Sequence, residues 1–165
     1  MKFGGLYTKA PELRVAHWID GAGRTIGEPL RLADLGGGYK ILYCFQHWCP
    51  GCHSHGFPTL KLLHQHLGHK GIGFAVIQTV FEGAEVNTFD KLRANQLQYG
   101  LNIPFGHDLP RPGEHHPSFM EDYRSGGTPW FTVIDPEGNI VFADFRLDVA
   151  RFLDALDAET ADLVK

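Results

Sequence analysis

The stretch Lys40-Ile41-Leu42-Tyr43-Cys44-Phe45-Gln46-His47-Trp48-Cys49-Pro50-Gly51-Cys52 decides the fold. Its first half, residues 40–46, is a short and almost continuous apolar run, which is typical of a strand buried on both faces of a sheet. A helical pattern follows over residues 52–69, with apolar side chains at Phe57, Leu60, Leu63 and Leu67. The two closely spaced cysteines therefore lie at a junction between a strand and a helix.

The same order repeats further along the chain. Residues 73–80 form another buried-strand run, and residues 86–99 read as an amphipathic helix that stops at Gly100. Alternation of strand and helix requires parallel strands joined by right-handed helical crossovers.

A hairpin and a closing helix complete the predicted sheet. Two apolar runs, residues 130–134 and 140–145, flank the turn sequence Asp135-Pro136-Glu137-Gly138-Asn139, so this pair is expected to be antiparallel. The tail over residues 148–163 has one apolar helical face, made by Phe152, Leu153, Leu156 and Leu163. Two weaker segments, residues 13–19 and 30–32, are predicted as short strands. The sequence thus predicts an α/β fold with a central mixed β-sheet flanked by helices on both faces.

Composition and charge narrow the possible partners. The 165 residues are 43% hydrophobic, which suits one domain with one sizeable core. The net charge is −4 with both signs interspersed, so neither a nucleic acid nor a membrane surface is an expected partner. The first nine residues lack the apolar run of a signal peptide. We expect a cytoplasmic protein, or a periplasmic one if an export segment was removed.

Cys49 and Cys52 are the expected reactive pair among three cysteines. At the start of a helix, free backbone N–H groups and the helix dipole stabilise a thiolate, so Cys49 is predicted to be the nucleophile with a pKa below about 8.5. Cys52, one turn on, is predicted to be less exposed and to resolve the mixed disulfide. Pro50 and Gly51 would tune the redox potential through geometry. The expected redox group is therefore the Cys49–Cys52 disulfide itself, with no added cofactor.

Metal binding is the alternative for this segment. A structural zinc site needs a second ligand pair at comparable spacing. The sequence has no second cysteine pair, since the third cysteine, Cys44, stands alone in an apolar strand. A histidine could still complete a site with the two cysteines, which leaves a metal-binding or metallochaperone module open; the candidates are His47, His53 and His55. Trp48 has two interpretations as well, either packing beside the active-site loop or filling the core at a strand end.

The residues that match a known family are Trp48-Cys49-Pro50-Gly51-Cys52, Gly127-Thr128-Pro129 and Val133-Ile134-Asp135-Pro136-Glu137-Gly138-Asn139-Ile140-Val141, with Ala10-Pro11-Glu12-Leu13 and Leu32-Ala33-Asp34-Leu35-Gly36 before them. On these the chain resembles the thioredoxin superfamily and, within it, the TlpA/ResA-like thiol-disulfide oxidoreductases. The resemblance implies a thioredoxin-like fold over residues 40–165, with an N-terminal β extension at 1–39 and an insertion at about 81–125.

The resemblance also implies roles for distant residues. Pro129 would be cis and face the cysteine pair, and the Thr128 backbone would pair with an extended substrate. Substrate contacts are expected at Trp48, Pro50, Gly51 and Thr128. Glu82 matches the family's acidic residue and would exchange a proton with Cys52 if partial burial raised its pKa. Glu85 is a second candidate for this role. Alternatively, Glu82 is an ordinary solvated acid in a loop.

The expected activity is reduction of a disulfide, in a protein or a small molecule, with a thiol compound as the electron donor. A thiol peroxidase is the closest enzymatic alternative, but Leu42 and Gln46 occupy the places where a peroxiredoxin has proline and threonine. The chain also departs from its family in one spacing, because Pro58 follows Cys52 by six residues instead of five.

Overall fold

A single mixed sheet organises the chain, in the order β2-β1-β5-β4-β3-β6-β7. The structure is a computed structural model that describes residues 3–164, with side chains described over residues 4–159. The strands are β1 (His17–Ile19), β2 (Thr25–Ile26), β3 (Lys40–Phe45), β4 (Gly73–Thr79), β5 (Phe105–Asp108), β6 (Trp130–Ile134) and β7 (Ile140–Asp144).

Strand β3 is the centre of the sheet and is buried along its whole length. It runs parallel to β4 and antiparallel to β6. Because successive side chains of a strand point to opposite faces, Tyr43 and Phe45 pack on one side while Leu42 and Cys44 pack on the other. The apolar run in the sequence is continuous for this reason.

Helices cover both faces of the sheet, as the sequence predicts for a thioredoxin-like α/β fold. Three of them pack on the face that holds Tyr43: α1 (Phe57–Leu67), α2 (Lys91–Tyr99) and α4 (Val149–Val164). The short helix α3 (Ser118–Tyr123) packs on the other face, together with the segment around Val15. None of the described helices is long and apolar enough to cross a membrane.

Several element boundaries differ from the predictions. Of the segment predicted as a strand over residues 13–19, only β1 pairs in the sheet, and residues 32–35 form a 3₁₀ turn. Helix α2 begins at Lys91, five residues later than predicted, because Asn87 turns its side chain inward to bind loop backbone. Strand β5 and helix α3 lie between residues 100 and 130, where the sequence predicted neither a strand nor a helix. For the predicted apolar face of α4, the side chain of Leu163 lies outside the described residues.

Candidate active site

The cysteine pair lies where β3 passes into the first helix. Residues 50 and 51 are already helical, which places Cys49 just before the helix. Cys49 and Cys52 form a disulfide with their Cα atoms 5.3 Å apart. Cys49 is partly exposed and Cys52 is fully buried. The backbone N–H of Cys52 donates to Cys49 Sγ at 3.2 Å, so a donor at the start of the helix points at the Cys49 sulfur.

A π-helical turn follows and explains the unusual spacing of Pro58. The turn spans Cys52–Gly56, and the N–H of Phe57 donates to the carbonyl of Cys52, five residues back. A π turn accommodates one residue more than an α turn. The six-residue separation of Cys52 from Pro58 is thereby absorbed without breaking the helix.

Three buried amide side chains bind the active-site loop to the loop after β4. Gln46, Gln78 and Asn87 are each at most 1% exposed. Their oxygen atoms accept backbone N–H groups: Phe81 at 3.2 Å for Gln46, His47 at 3.0 Å for Gln78, and Trp48 at 3.1 Å for Asn87. Sequence reasoning missed these residues. For Gln46 and Gln78 the signal was a polar side chain within an apolar run, which a buried strand retains only when its hydrogen bonds are satisfied. Asn87 lies outside the strands and had no such signal.

Trp48 covers the loop after β4 and does not fill the core. Its side chain is 44% exposed. A Cβ placed on Gly83 would lie 2.5 Å from the Trp48 ring, and Gly83 has φ +62°. Both the space and the backbone conformation therefore require glycine at position 83, and the indole ring lies directly against it.

The Thr128–Pro129 peptide bond is cis. Pro129 lies beside the cysteine motif, because a Cβ placed on Gly51 would be 3.4 Å from Pro129 Cδ. Thr128 is partly exposed. Its backbone N–H and carbonyl make no hydrogen bond within the part of the chain that the structure describes. An unpaired backbone segment thus lies next to the reactive turn.

Glu82 does not meet the condition attached to its predicted role. That role required partial burial, and the side chain is exposed. Its backbone N–H and carbonyl are bound by the side chains of Gln46 and Asn87, which leaves the carboxylate at the surface of the loop. An exposed side chain fits the alternative of a solvated loop acid, and the proton-transfer role of Glu82 stays a prediction. Its rival Glu85 is exposed too.

Two of the three histidines near the motif bind protein groups. His53 Nε2–H donates to the carbonyl of His47 at 2.7 Å, and the Tyr99 hydroxyl donates to His53 Nδ1 at 2.5 Å. Asn95 donates to His47 Nδ1 at 3.1 Å. Burial, with Lys91 and His53 nearby, lowers the pKa of His47.

The third histidine, His55, lies by the reactive turn. A Cβ placed on Gly51 would be 3.3 Å from the His55 ring. Burial, followed by the charge of Arg146, lowers the pKa of His55. Over the described residues, no three His, Cys, Asp or Glu side chains are grouped to hold a metal ion. The alternative of a metal site made by the two cysteines and a neighbouring histidine is therefore not formed among the described residues.

Solved structures with the same fold share nearly a third of the sequence. A thioredoxin-like superfamily protein is 31% identical, with a TM-score of 0.77 over 92% of this chain and 94% of that one. A thiol-disulfide isomerase from Corynebacterium glutamicum is 30% identical, with a TM-score of 0.74 over 90% of this chain and 95% of that one. The chain belongs to the thioredoxin-like superfamily.

More distant comparisons agree with a thioredoxin-like protein. The thioredoxin domain of a thiol-disulfide oxidoreductase from Bacteroides vulgatus shares the fold at 19% identity and a TM-score of 0.67, over 94% of this chain and 98% of that one. Probable nucleoredoxin 1 of Arabidopsis thaliana is 28% identical over 130 residues, 78% of this chain, and the chain spans about a fifth of that relative's length. No family model matches the chain. With its bonded Cys49–Cys52 pair, this thioredoxin-like domain is an oxidoreductase of the thiol-disulfide class.

Proposed function

We propose that this domain reduces disulfide bonds of protein substrates, with Cys49 as the nucleophile and Cys52 as the resolving cysteine. The observation that carries the proposal is the N–H of Cys52, which donates to Cys49 Sγ at 3.2 Å at the start of the helix. In the reduced state the same donor would stabilise a thiolate on Cys49. The exposure difference supports the order of attack, because Cys52 is fully buried and Cys49 is not.

The exchange proceeds in two displacements. The Cys49 thiolate attacks one sulfur of the substrate disulfide; the substrate S–S bond breaks, a Cys49–substrate disulfide forms, and the departing sulfur takes up a proton. Cys52 then loses its proton and attacks Cys49 Sγ, which releases the second substrate sulfur as a thiol. The substrate gains two electrons and two protons, and the dithiol becomes the Cys49–Cys52 disulfide. A thiol electron donor restores the dithiol.

The surface beside Cys49 suits an extended protein segment. The unpaired backbone of Thr128 could add main-chain hydrogen bonds to such a segment, next to Pro129. Trp48 and Pro50 flank Cys49 and are exposed. We expect both side chains to contact the substrate. In a cytoplasmic setting, where glutathione and thioredoxin keep thiols reduced, the net direction would be reduction.

Insulin reduction tests the assignment of the nucleophile. Cys49→Ser is expected to abolish turnover, while Cys52→Ala is expected to accumulate a mixed disulfide that mass spectrometry can identify. Cys44→Ala is the matched control, because Cys44 is a fully buried free cysteine on the other face of the sheet, and it is expected to retain activity. If Cys49→Ser reduced insulin as fast as the wild-type protein, the proposal would be wrong.

A further inference from the structure

A buried tyrosine lies directly beneath the resolving cysteine. Tyr43 is fully buried in β3 and its ring packs against Phe57 and Phe131, with ring centroids 5.0 and 4.9 Å away. Its hydroxyl donates to the backbone carbonyl of Cys52 at 3.0 Å. Of the tyrosines in the described chain, Tyr43 is the one whose hydroxyl reaches the cysteine motif.

The carbonyl that Tyr43 binds belongs to the π turn. It already accepts the N–H of Phe57, so Tyr43 supplies a second donor to the same oxygen. A carbonyl oxygen has two lone pairs and can accept both. The two donors come from different elements, the helix backbone and the central strand, so together they fix the position of Cys52 relative to the sheet.

Gly56 leaves the space that the hydroxyl needs. A Cβ placed on Gly56 would lie 2.1 Å from the Tyr43 hydroxyl oxygen. Glycine at this position is therefore required for the phenol to reach the turn. Burial raises the pKa of Tyr43 well above its usual value, which keeps the hydroxyl protonated and able to donate at ordinary pH.

We propose that Tyr43 is a positioning residue for the redox reaction: its hydroxyl, admitted by Gly56, holds the Cys52 backbone so that the resolving sulfur stays within reach of Cys49. This inference rests on the proposed role of Cys52 and adds what sets its position. Resolution is an intramolecular displacement whose rate depends on how well the two sulfurs are held together. How closely the two sulfurs are held together also sets the stability of the Cys49–Cys52 disulfide against a thiol buffer.

Tyr43→Phe removes the hydroxyl and keeps the ring. The equilibrium constant for closing the Cys49–Cys52 disulfide in a glutathione buffer is expected to fall about fivefold, the ratio that corresponds to one ordinary buried hydrogen bond. For a two-electron couple this is roughly 20 mV toward a more oxidising potential. In stopped-flow reactions with insulin the mixed disulfide should persist longer, while its rate of formation by Cys49 stays the same.

Tyr123→Phe is the matched control. Tyr123 is a buried tyrosine whose hydroxyl donates to the carbonyl of Pro11 at 2.5 Å, on the face of the sheet opposite Tyr43. It should lose stability to a similar degree and leave the glutathione equilibrium unchanged. Gly56→Ala is a second route, since its Cβ displaces the Tyr43 hydroxyl without removing it, and it should shift the equilibrium in the same direction.

The outcomes separate the two proposals. A shift in Tyr43→Phe or Gly56→Ala that is absent in Tyr123→Phe supports the positioning role. If wild type exchanges disulfides and Tyr43→Phe has the same equilibrium constant and resolution rate as Tyr123→Phe, the positioning role is refuted and the proposed function stands. If the wild-type protein itself exchanges no disulfide, the proposed function is wrong, and the positioning role that rests on it is wrong as well.

Discussion

Asn87→Ala is expected to destabilise the domain and disturb the reactive loop together. The Asn87 side chain is fully buried and makes three hydrogen bonds to backbone. Its oxygen accepts the N–H of Trp48 at 3.1 Å, and its amide donates to the carbonyls of Glu82 and Gly83 at 3.2 and 3.1 Å. At about 1 kcal/mol for each bond, the substitution would cost about 3 kcal/mol. For a domain of this size that lowers Tm by roughly 6–12 °C.

Thermal unfolding followed by circular dichroism measures the effect of Asn87→Ala, and insulin reduction at a temperature where the variant is folded measures the second consequence. Activity should fall, because the backbone of Trp48, next to Cys49, loses its hydrogen bond to Asn87 in the loop after β4. Asn102→Ala is the control, since Asn102 is exposed. A Tm within about 2 °C of wild type, a change of under 1 kcal/mol for this size of domain, would refute the reasoning that the three bonds fasten the loops.

Three further outcomes are expected. Gly83→Ala should destabilise the domain by about 1–2 kcal/mol from its left-handed backbone alone and also displace the Trp48 ring, which tryptophan fluorescence would report. Burial and His17 lower the pKa of His107 to about 4. Since the unfolded chain has an ordinary histidine pKa of 6.5, it takes up a proton at higher pH than the folded state does. The stability that neutral His107 contributes is therefore full above pH 6.5 and is lost as the pH falls toward 4. Urea unfolding should show wild type losing about 2 kcal/mol more than His107→Gln between pH 7 and 4.5; parallel losses would contradict this. Glu82→Gln should keep insulin reduction within about twofold, since a surface substitution changes stability by about 0.5 kcal/mol or less, and a large loss of activity would support the predicted role of Glu82 as a proton carrier.

The central strands could be predicted because burial on both faces leaves a direct trace in the sequence. Residues 40–46 and 73–80 are almost continuous apolar runs, and they form neighbouring parallel strands. Strand β5 left no such trace. Its four residues, Phe105–Asp108, are all buried, but they include a glycine, a histidine and an aspartate. The polar pair is held by partners that only the fold supplies, Gln78 for His107 and Ser118 for Asp108.

The reactive pair at a strand-to-helix junction followed from the sequence, because it depends on residues adjacent in the chain. The surroundings of that pair depended on the tertiary structure. Tyr43 is separated from Cys52 by nine positions, Trp48 from Asn87 by 39 and His53 from Tyr99 by 46. Each contact joins elements whose distance is set by how helices α1 and α2 and the loop after β4 pack on the sheet. The same packing left the Glu82 side chain in solvent, since only its backbone is bound. Local periodicity reports which face of an element is buried, and it carries no information on which distant side chain will meet that face.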